Sequence, residues 1–127
     1  MNDLDRLYHH YIDCLNRQAW ADLGQYVADD VQYNGELIGL SGYRHMLERD
    51  FRQIPDLAFN IQLLVCDDST IASRLAFDCS PTGTFLGVAV NGRRVQFCEN
   101  VFYRVSDGKI AQVWSVLDKV ALEARLG

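Results

Sequence analysis

The sequence predicts an α+β domain, with helices gathered at the N-terminal end and packed on one face of an antiparallel sheet. Two observations carry this. Apolar residues recur at three- and four-residue steps as far as Phe51, and from Leu57 onward they recur at two-residue steps. A block of helices followed by a block of strands buries its apolar surfaces best as a sheet covered by helices.

Leu4, Leu7, Tyr8, Tyr11, Ile12 and Leu15 predict an amphipathic helix over residues 3 to 16. Ala19, Trp20, Leu23, Tyr26 and Val27 continue the period in a shorter second helix. Asp29-Asp30 breaks it, and Val31-Gln32-Tyr33 reads as a short extended piece. Ser41 is placed to cap a third helix carrying Tyr43, Met46, Leu47 and Phe51, which must stop before Pro55. Leu57, Phe59, Ile61, Leu63 and Val65 then alternate as one face of a half-buried strand. After the turn Asp67-Asp68-Ser69, a second strand places Ile71, Ser73, Leu75, Phe77 and Cys79 on one face, with Arg74 and Asp78 on the other. A loop containing Pro81, Gly83, Gly87 and Asn91-Gly92 leads to a third strand over residues 93 to 105. Ser106-Asp107-Gly108 is a hairpin signal. The fourth strand runs from Ile110 to Asp118, and residues 119 to 126 are expected to form a terminal helix.

The fourth strand is apolar on both faces, with Val113 and Leu117 on one and Trp114 and Val116 on the other. Helices can cover only one of them, so a homodimer is expected to cover the second.

At 127 residues the chain fits one domain, taken as 1–127. The net charge of −5 and scattered Lys and Arg exclude a nucleic-acid groove. No apolar run reaches the roughly 20 residues of a membrane span. The first residues lack the layout of a secretion signal, so a cytoplasmic protein is expected. Cys14, Cys66, Cys79 and Cys98 form no C-x-x-C pair and read as small buried hydrophobes. His9 and His10, being adjacent, point to different sides of a helix and cannot chelate together. Neither a metal nor a cofactor is expected.

Motifs for covalent or nucleotide-dependent chemistry are absent from the sequence. What remains is acid–base work in a pocket between helices and sheet. Asp118 follows Trp114 and Val116 at two-residue spacing, so the three share a face. A carboxylate at the rim of an apolar pocket suits a general base, although spacing alone favours Asp118 as the cap of the helix starting at Lys119. Glu99 is the one charge on a stripe of Val95, Phe97, Val101 and Tyr103. Either it faces the pocket or it pairs with a cation, for which Arg74 is the nearest choice. Tyr8, Tyr11, Tyr33, Trp20 and Trp114 line a pocket for a flat ligand or simply fill the core. Asn34 and His45 are polar groups near element ends.

The run Ser80-Pro81-Thr82-Gly83-Thr84-Phe85-Leu86-Gly87, then Asn91-Gly92-Arg93-Arg94-Val95, resembles the sheet region of the SnoaL-like polyketide cyclases. So do Tyr103-Arg104-Val105-Ser106-Asp107-Gly108-Lys109-Ile110, then Trp114, Asp118 and Arg125-Leu126-Gly127. The resemblance extends without gaps from about Arg74 to the end. It implies the nuclear-transport-factor-2-like fold: a cone-shaped barrel of a strongly bent antiparallel sheet, packed against three N-terminal helices around a ligand pocket. It further implies a cofactor-free intramolecular aldol condensation on a polyketide ester, in which an Asp takes an acidic C–H proton. Asp118 matches that position. Glu99, Arg74, Trp114, Tyr33, Tyr11 and Asn34 are the candidate substrate contacts, with a tyrosine (Tyr8, Tyr11 or Tyr33) as the hydrogen-bond donor. Where the family commonly reads Thr-His-Thr-Gly, this chain has Ser80-Pro81-Thr82-Gly83, and proline offers Asp118 no proton-exchanging partner. The expected function is acid–base chemistry on a carbonyl-bearing, largely apolar small molecule, as cyclase, isomerase or dehydratase. The alternative is a binding protein that keeps the pocket without catalysis.

Overall fold

The computed structural model describes residues 3–118. Helix α1 spans Asp3–Asn16 and buries Tyr8, Tyr11, Ile12 and Leu15 along one side, as its period requires. The second helix is tighter and shorter than expected: a 3-10 helix over Trp20–Gln25. Six residues including Gly24 offer little room or propensity for an α-helix. Val27, expected on that helix, instead opens strand β1 (Val27–Tyr33), which runs through Asp29 and Asp30 with both side chains exposed. Asn34-Gly35, at φ of +49° and +86°, turns β1 back onto the short β2 (Glu36–Leu37). Asn-Gly is the residue pair that tolerates two successive positive φ angles most readily.

Helix α2 covers Gly39–Gln53 and ends before Pro55. The chain enters it at Gly39, whose φ is +70° and where a side chain would crowd the Asp29 carbonyl at 3.3 Å. Ser41 therefore lies inside the helix rather than capping it. Then come β3 (Asn60–Cys66), β4 (Thr70–Cys79), a small hairpin of β5 (Thr84–Phe85) and β6 (Val88–Ala89), β7 (Val95–Ser106) and β8 (Lys109–Leu117). The expected terminal helix lies outside the described residues.

The six-stranded sheet has the order β2-β1-β8-β7-β4-β3. It is mixed rather than wholly antiparallel, because β1 pairs with β8 in parallel. Nearly the whole domain connects those two strands, which is ample for a parallel crossover. The alternation expected over 57 to 65 also fails as a single face. A bulge between Ile61 and Leu63 shifts the register, so Leu57 and Phe59 are buried while Leu63 and Val65 are 59% and 60% exposed. One unpaired residue exchanges the faces of everything beyond it.

The inner faces of β4 and β7 follow the expected alternation, with Ile71, Leu75, Phe77 and Cys79 facing the same core as Val95, Phe97, Val101 and Tyr103. A chain of ring contacts links Trp20, Phe51, Phe59, Phe77, Phe97 and Phe85 at centroid separations of 5.1–6.1 Å. It ties the 3-10 helix, α2, the segment leading into β3 and three strands together, each contact adding about 0.5–1.5 kcal/mol beyond its burial. The four cysteines are free. No helix among the described residues is long and apolar enough to cross a membrane.

Candidate functional site

A cavity of about 250 Å³ lies between α2 and the inner face of the sheet. Its walls are mostly apolar: Met46 and Ile54, then Leu57, Phe59, Phe77, Phe85, Phe97 and Leu117. Four polar side chains interrupt them: Tyr33, Arg49, Asp50 and Glu99. A small apolar chamber with a few convergent polar groups is the usual form of a small-molecule site.

Glu99 reaches this cavity by strand alternation, lying on the inner side of β7 between Phe97 and Val101. Across the ladder, β8 turns Ser115 to the same side, and the Ser115 hydroxyl bonds the Glu99 carboxylate. Tyr33 stands at the last position of β1, next to the turn. The following residue, Asn34, donates its backbone N–H to the Val113 carbonyl at 2.8 Å, and its Oδ1 accepts the Ser115 backbone N–H at 2.9 Å. Asp50 comes from α2, where Tyr43, Leu47 and Phe51 form the buried face and Asp50 is the acid set among them.

Burial pushes the Glu99 carboxyl up from its ordinary range; the Ser115 hydroxyl opposes this and the charge of Asp50 adds to it. Burial likewise raises Asp50 to about 6, with Arg49 opposing. The Tyr33 phenol is raised by burial and held back by Ser115. Among the described residues, neither acid has an ion-pair partner within 4 Å. Two carboxyls in one chamber, each driven toward its neutral form, are a proton-transfer constellation. Behind them, the Tyr11 and Tyr43 hydroxyls bond each other at 2.6 Å, and those of Tyr8 and Tyr103 at 3.1 Å. Burial raises all four phenols, Tyr8 to about 12, so they stay neutral.

Of the residues expected at the site, Glu99 and Tyr33 share this cavity. Asp118 does not line it. Trp114, Val116 and Asp118 do share one face, but it is the outer face of the sheet. The Asp118 N–H continues the ladder to the Cys98 carbonyl at 2.9 Å, and its side chain lines an open depression of about 410 Å³ with Asn60, Gln62, Arg74 and Cys98. Whether Asp118 caps a helix falls outside the described residues. Arg74 is not the partner of Glu99, since its guanidinium bonds Gln62 at 2.8 Å and Asn100 at 2.9 Å on that outer face. Trp114 lies there too, opposite Phe102. Tyr11 is core, held by Tyr43, and Asn34 serves the backbone of β8. Pro81 also lies outside the cavity wall, its carbonyl accepting the Gly92 N–H at 2.8 Å. His45 is exposed.

Three polar residues of the site, Arg49, Asp50 and Ser115, were not singled out from the sequence. Asp50 sits at helical spacing from Tyr43, Met46 and Leu47, the same lone-acid-on-an-apolar-stripe signal that marked Glu99. Ser115 carries no comparable signal, because only its cross-strand neighbour gives it a role.

A family model described as SnoaL-like polyketide cyclase matches residues 5–126. A SnoaL-like polyketide cyclase from Agrobacterium tumefaciens is 54% identical over the whole of both chains and superposes with a TM-score of 0.98. TsrD from Streptomyces laurentii is 23% identical over 98% of this chain and 95% of its own, at a TM-score of 0.84. IdmH from Streptomyces antibioticus is 21% identical, covering 100% and 99% of the two chains at a TM-score of 0.83. These last two share the fold. None of the curated proteins matches the sequence significantly.

Proposed function

This chain belongs to the SnoaL-like polyketide cyclase family, and on that premise we propose that it moves a proton at a carbon beside a carbonyl, using Glu99 and Asp50 as its acid–base pair. The substrate is a largely apolar, carbonyl-bearing small molecule lying against the phenylalanine walls. The single observation that supports this best is the placing of two carboxyls, both raised toward neutrality, in one apolar chamber.

Between the two ionisations the pair holds one proton. The ionised member takes the C–H proton, and the electron pair of that bond moves onto the carbonyl oxygen as an enolate. The protonated member and the Tyr33 phenol are the donors that stabilise the oxygen. Attack of the enolate carbon on a second carbonyl closes a ring; reprotonation elsewhere is isomerisation, and loss of a β-hydroxyl is dehydration. These outcomes share the first step.

That step can be followed without the native substrate. In D2O, exchange of α-protons in a panel of aryl ketones and β-diketones is read by proton NMR. Glu99→Gln should slow enzyme-dependent exchange by about 100-fold or more, and Asp118→Asn by less than about threefold. The opposite pattern would return the base to Asp118. Ligand-induced shifts without any exchange would support binding alone.

A further inference from the structure

We propose that Asn34 is a positioning residue for this site: its side-chain amide extends the β1–β8 ladder by one bond and thereby fixes Ser115 against Glu99. The inference rests on reading Glu99 as a working acid, and goes beyond it by assigning what holds that acid in place.

The backbone of β1 cannot provide this bond. Its parallel register with β8 runs through Gln32 opposite Gln112 and Tyr33 opposite Val113, and there the chain leaves for β2. A strand that continued straight would offer a backbone carbonyl to the next β8 amide, that of Ser115. At Asn34 the chain is instead in the left-handed region, at φ +49°. The amide oxygen of Asn34 takes over as acceptor for Ser115 N–H at 2.9 Å, while Asn34 N–H still donates to Val113 at 2.8 Å. The residue type follows from both demands. Asparagine tolerates positive φ and carries a short acceptor able to imitate a main-chain carbonyl. Aspartate comes nearest to both, glycine meets only the first and alanine meets neither.

The consequence reaches the chamber in one covalent residue. The Ser115 backbone is pinned by Asn34, and the Ser115 hydroxyl bonds the Glu99 carboxylate. A hydroxyl donor favours the ionised acid, so a Ser115 free to drift leaves Glu99 more reluctant to ionise. Other groups bearing on Glu99 are Asp50 from α2, with Arg49 beside it, and the neutral phenols of Tyr33, Tyr8, Tyr11, Tyr43 and Tyr103 from β1, α1, α2 and β7. None of these touches Asn34 through a described hydrogen bond; Tyr33, its chain neighbour, shares the Ser115 hydroxyl with Glu99.

The test is titration of the Glu99 carboxyl by carbon NMR in glutamate-labelled protein, assigned with Glu99→Gln. Asn34→Gly keeps the turn and removes the acceptor; it should raise the Glu99 midpoint by about half a pH unit or more. In a Ser115→Ala background, where the midpoint is already raised, Asn34→Gly should add nothing. An unmoved midpoint overturns the proposal, and so does a shift that persists without the serine hydroxyl. In the unsubstituted protein the Ser115 amide should exchange with solvent slowly, as a bonded amide does; exchange as fast as that of an open turn also overturns it. A purely structural Asn34 would lower the melting temperature and leave the titration where it was. Because no turnover is measured, failure here is distinct from failure of the acid–base reading, which the exchange assay tests separately.

Discussion

Asp50 occupies a helix position that its neighbours Leu47 and Phe51 reserve for buried side chains, and the fold bears the consequence. Its carboxyl titrates at about 6 in the folded chain against an ordinary 3.8. The folded state therefore holds this proton more tightly than the unfolded chain does. The resulting stability is present below about pH 4 and is lost as pH rises through about 6, leaving a poorly solvated charge at neutrality. Asp50→Asn should gain roughly 2 kcal/mol in urea denaturation near pH 7.5 and almost nothing near pH 4, a screened fraction of the pKa displacement. Equal gains at both pH values would show that the charge is not the cause. The residue scale is also where the sequence was most unevenly legible. Glu99 stood out because nothing else on its stripe is charged. Asp50 carries the same signal on a helix, where Tyr43, Met46, Leu47 and Phe51 dominate the stripe. For Asp118 the spacing gave the right companions, Trp114 and Val116, but not the side of the sheet. On a strand apolar on both faces, alternation says which residues go together and leaves open which set looks inward.

Between elements, three hydrogen bonds tie α2 to the loop carrying β5 and β6. The Gln53 carbonyl accepts from the backbone and hydroxyl of Thr82, and its Nε2 donates to the Thr84 carbonyl at 2.6 Å. This latch holds Phe85 over the chamber. Gln53→Ala should remove one of the three bonds, costing about 0.5–1.5 kcal/mol locally. Hydrogen exchange at Val90 and Gly92, whose amides close the same loop onto Gly83 and Pro81, should accelerate while β4 and β7 stay protected. Unchanged exchange in the loop would show that the latch is not what orders it. Helix α1, β4, β7 and the β7–β8 hairpin were all legible, because their periods are long and their turn residues specific. The bulge in β3 was not. A single unpaired residue leaves no mark in a hydrophobic pattern, yet it sends Leu63 and Val65 to the opposite side. The parallel pairing of β1 with β8 was equally hidden, since pairing partners far apart in sequence share no local signal.

For the molecule as a whole, the surface needing an explanation is the outer face of the sheet. Phe102 is 54% exposed and Val116 68%, with Trp114, Leu63 and Val65 beside them. So much neighbouring apolar surface calls for a partner, and a second copy meeting the same face about a two-fold axis is the arrangement we expect. Sedimentation at micromolar concentration should give twice the 14.5 kDa chain mass. Val116→Lys should yield a monomer with an unchanged far-ultraviolet spectrum. A monomeric parent protein would refute the expectation. The apolarity of both sides of β8 made this surface legible from sequence, although the bulge that adds Leu63 and Val65 to it was not.

Phe77 and Phe97 stand opposite each other on β4 and β7, and their stacked rings, 5.1 Å apart, form part of the chamber wall. The size of molecule this scaffold can admit is thus set in part by two adjacent rings. Trimming either ring would enlarge the chamber without rebuilding a loop, but removing a buried phenylalanine costs about 3–5 kcal/mol. A lineage adapting this fold to a bulkier substrate would meet that trade at these two positions first: a wider appetite obtained there is a weaker sheet.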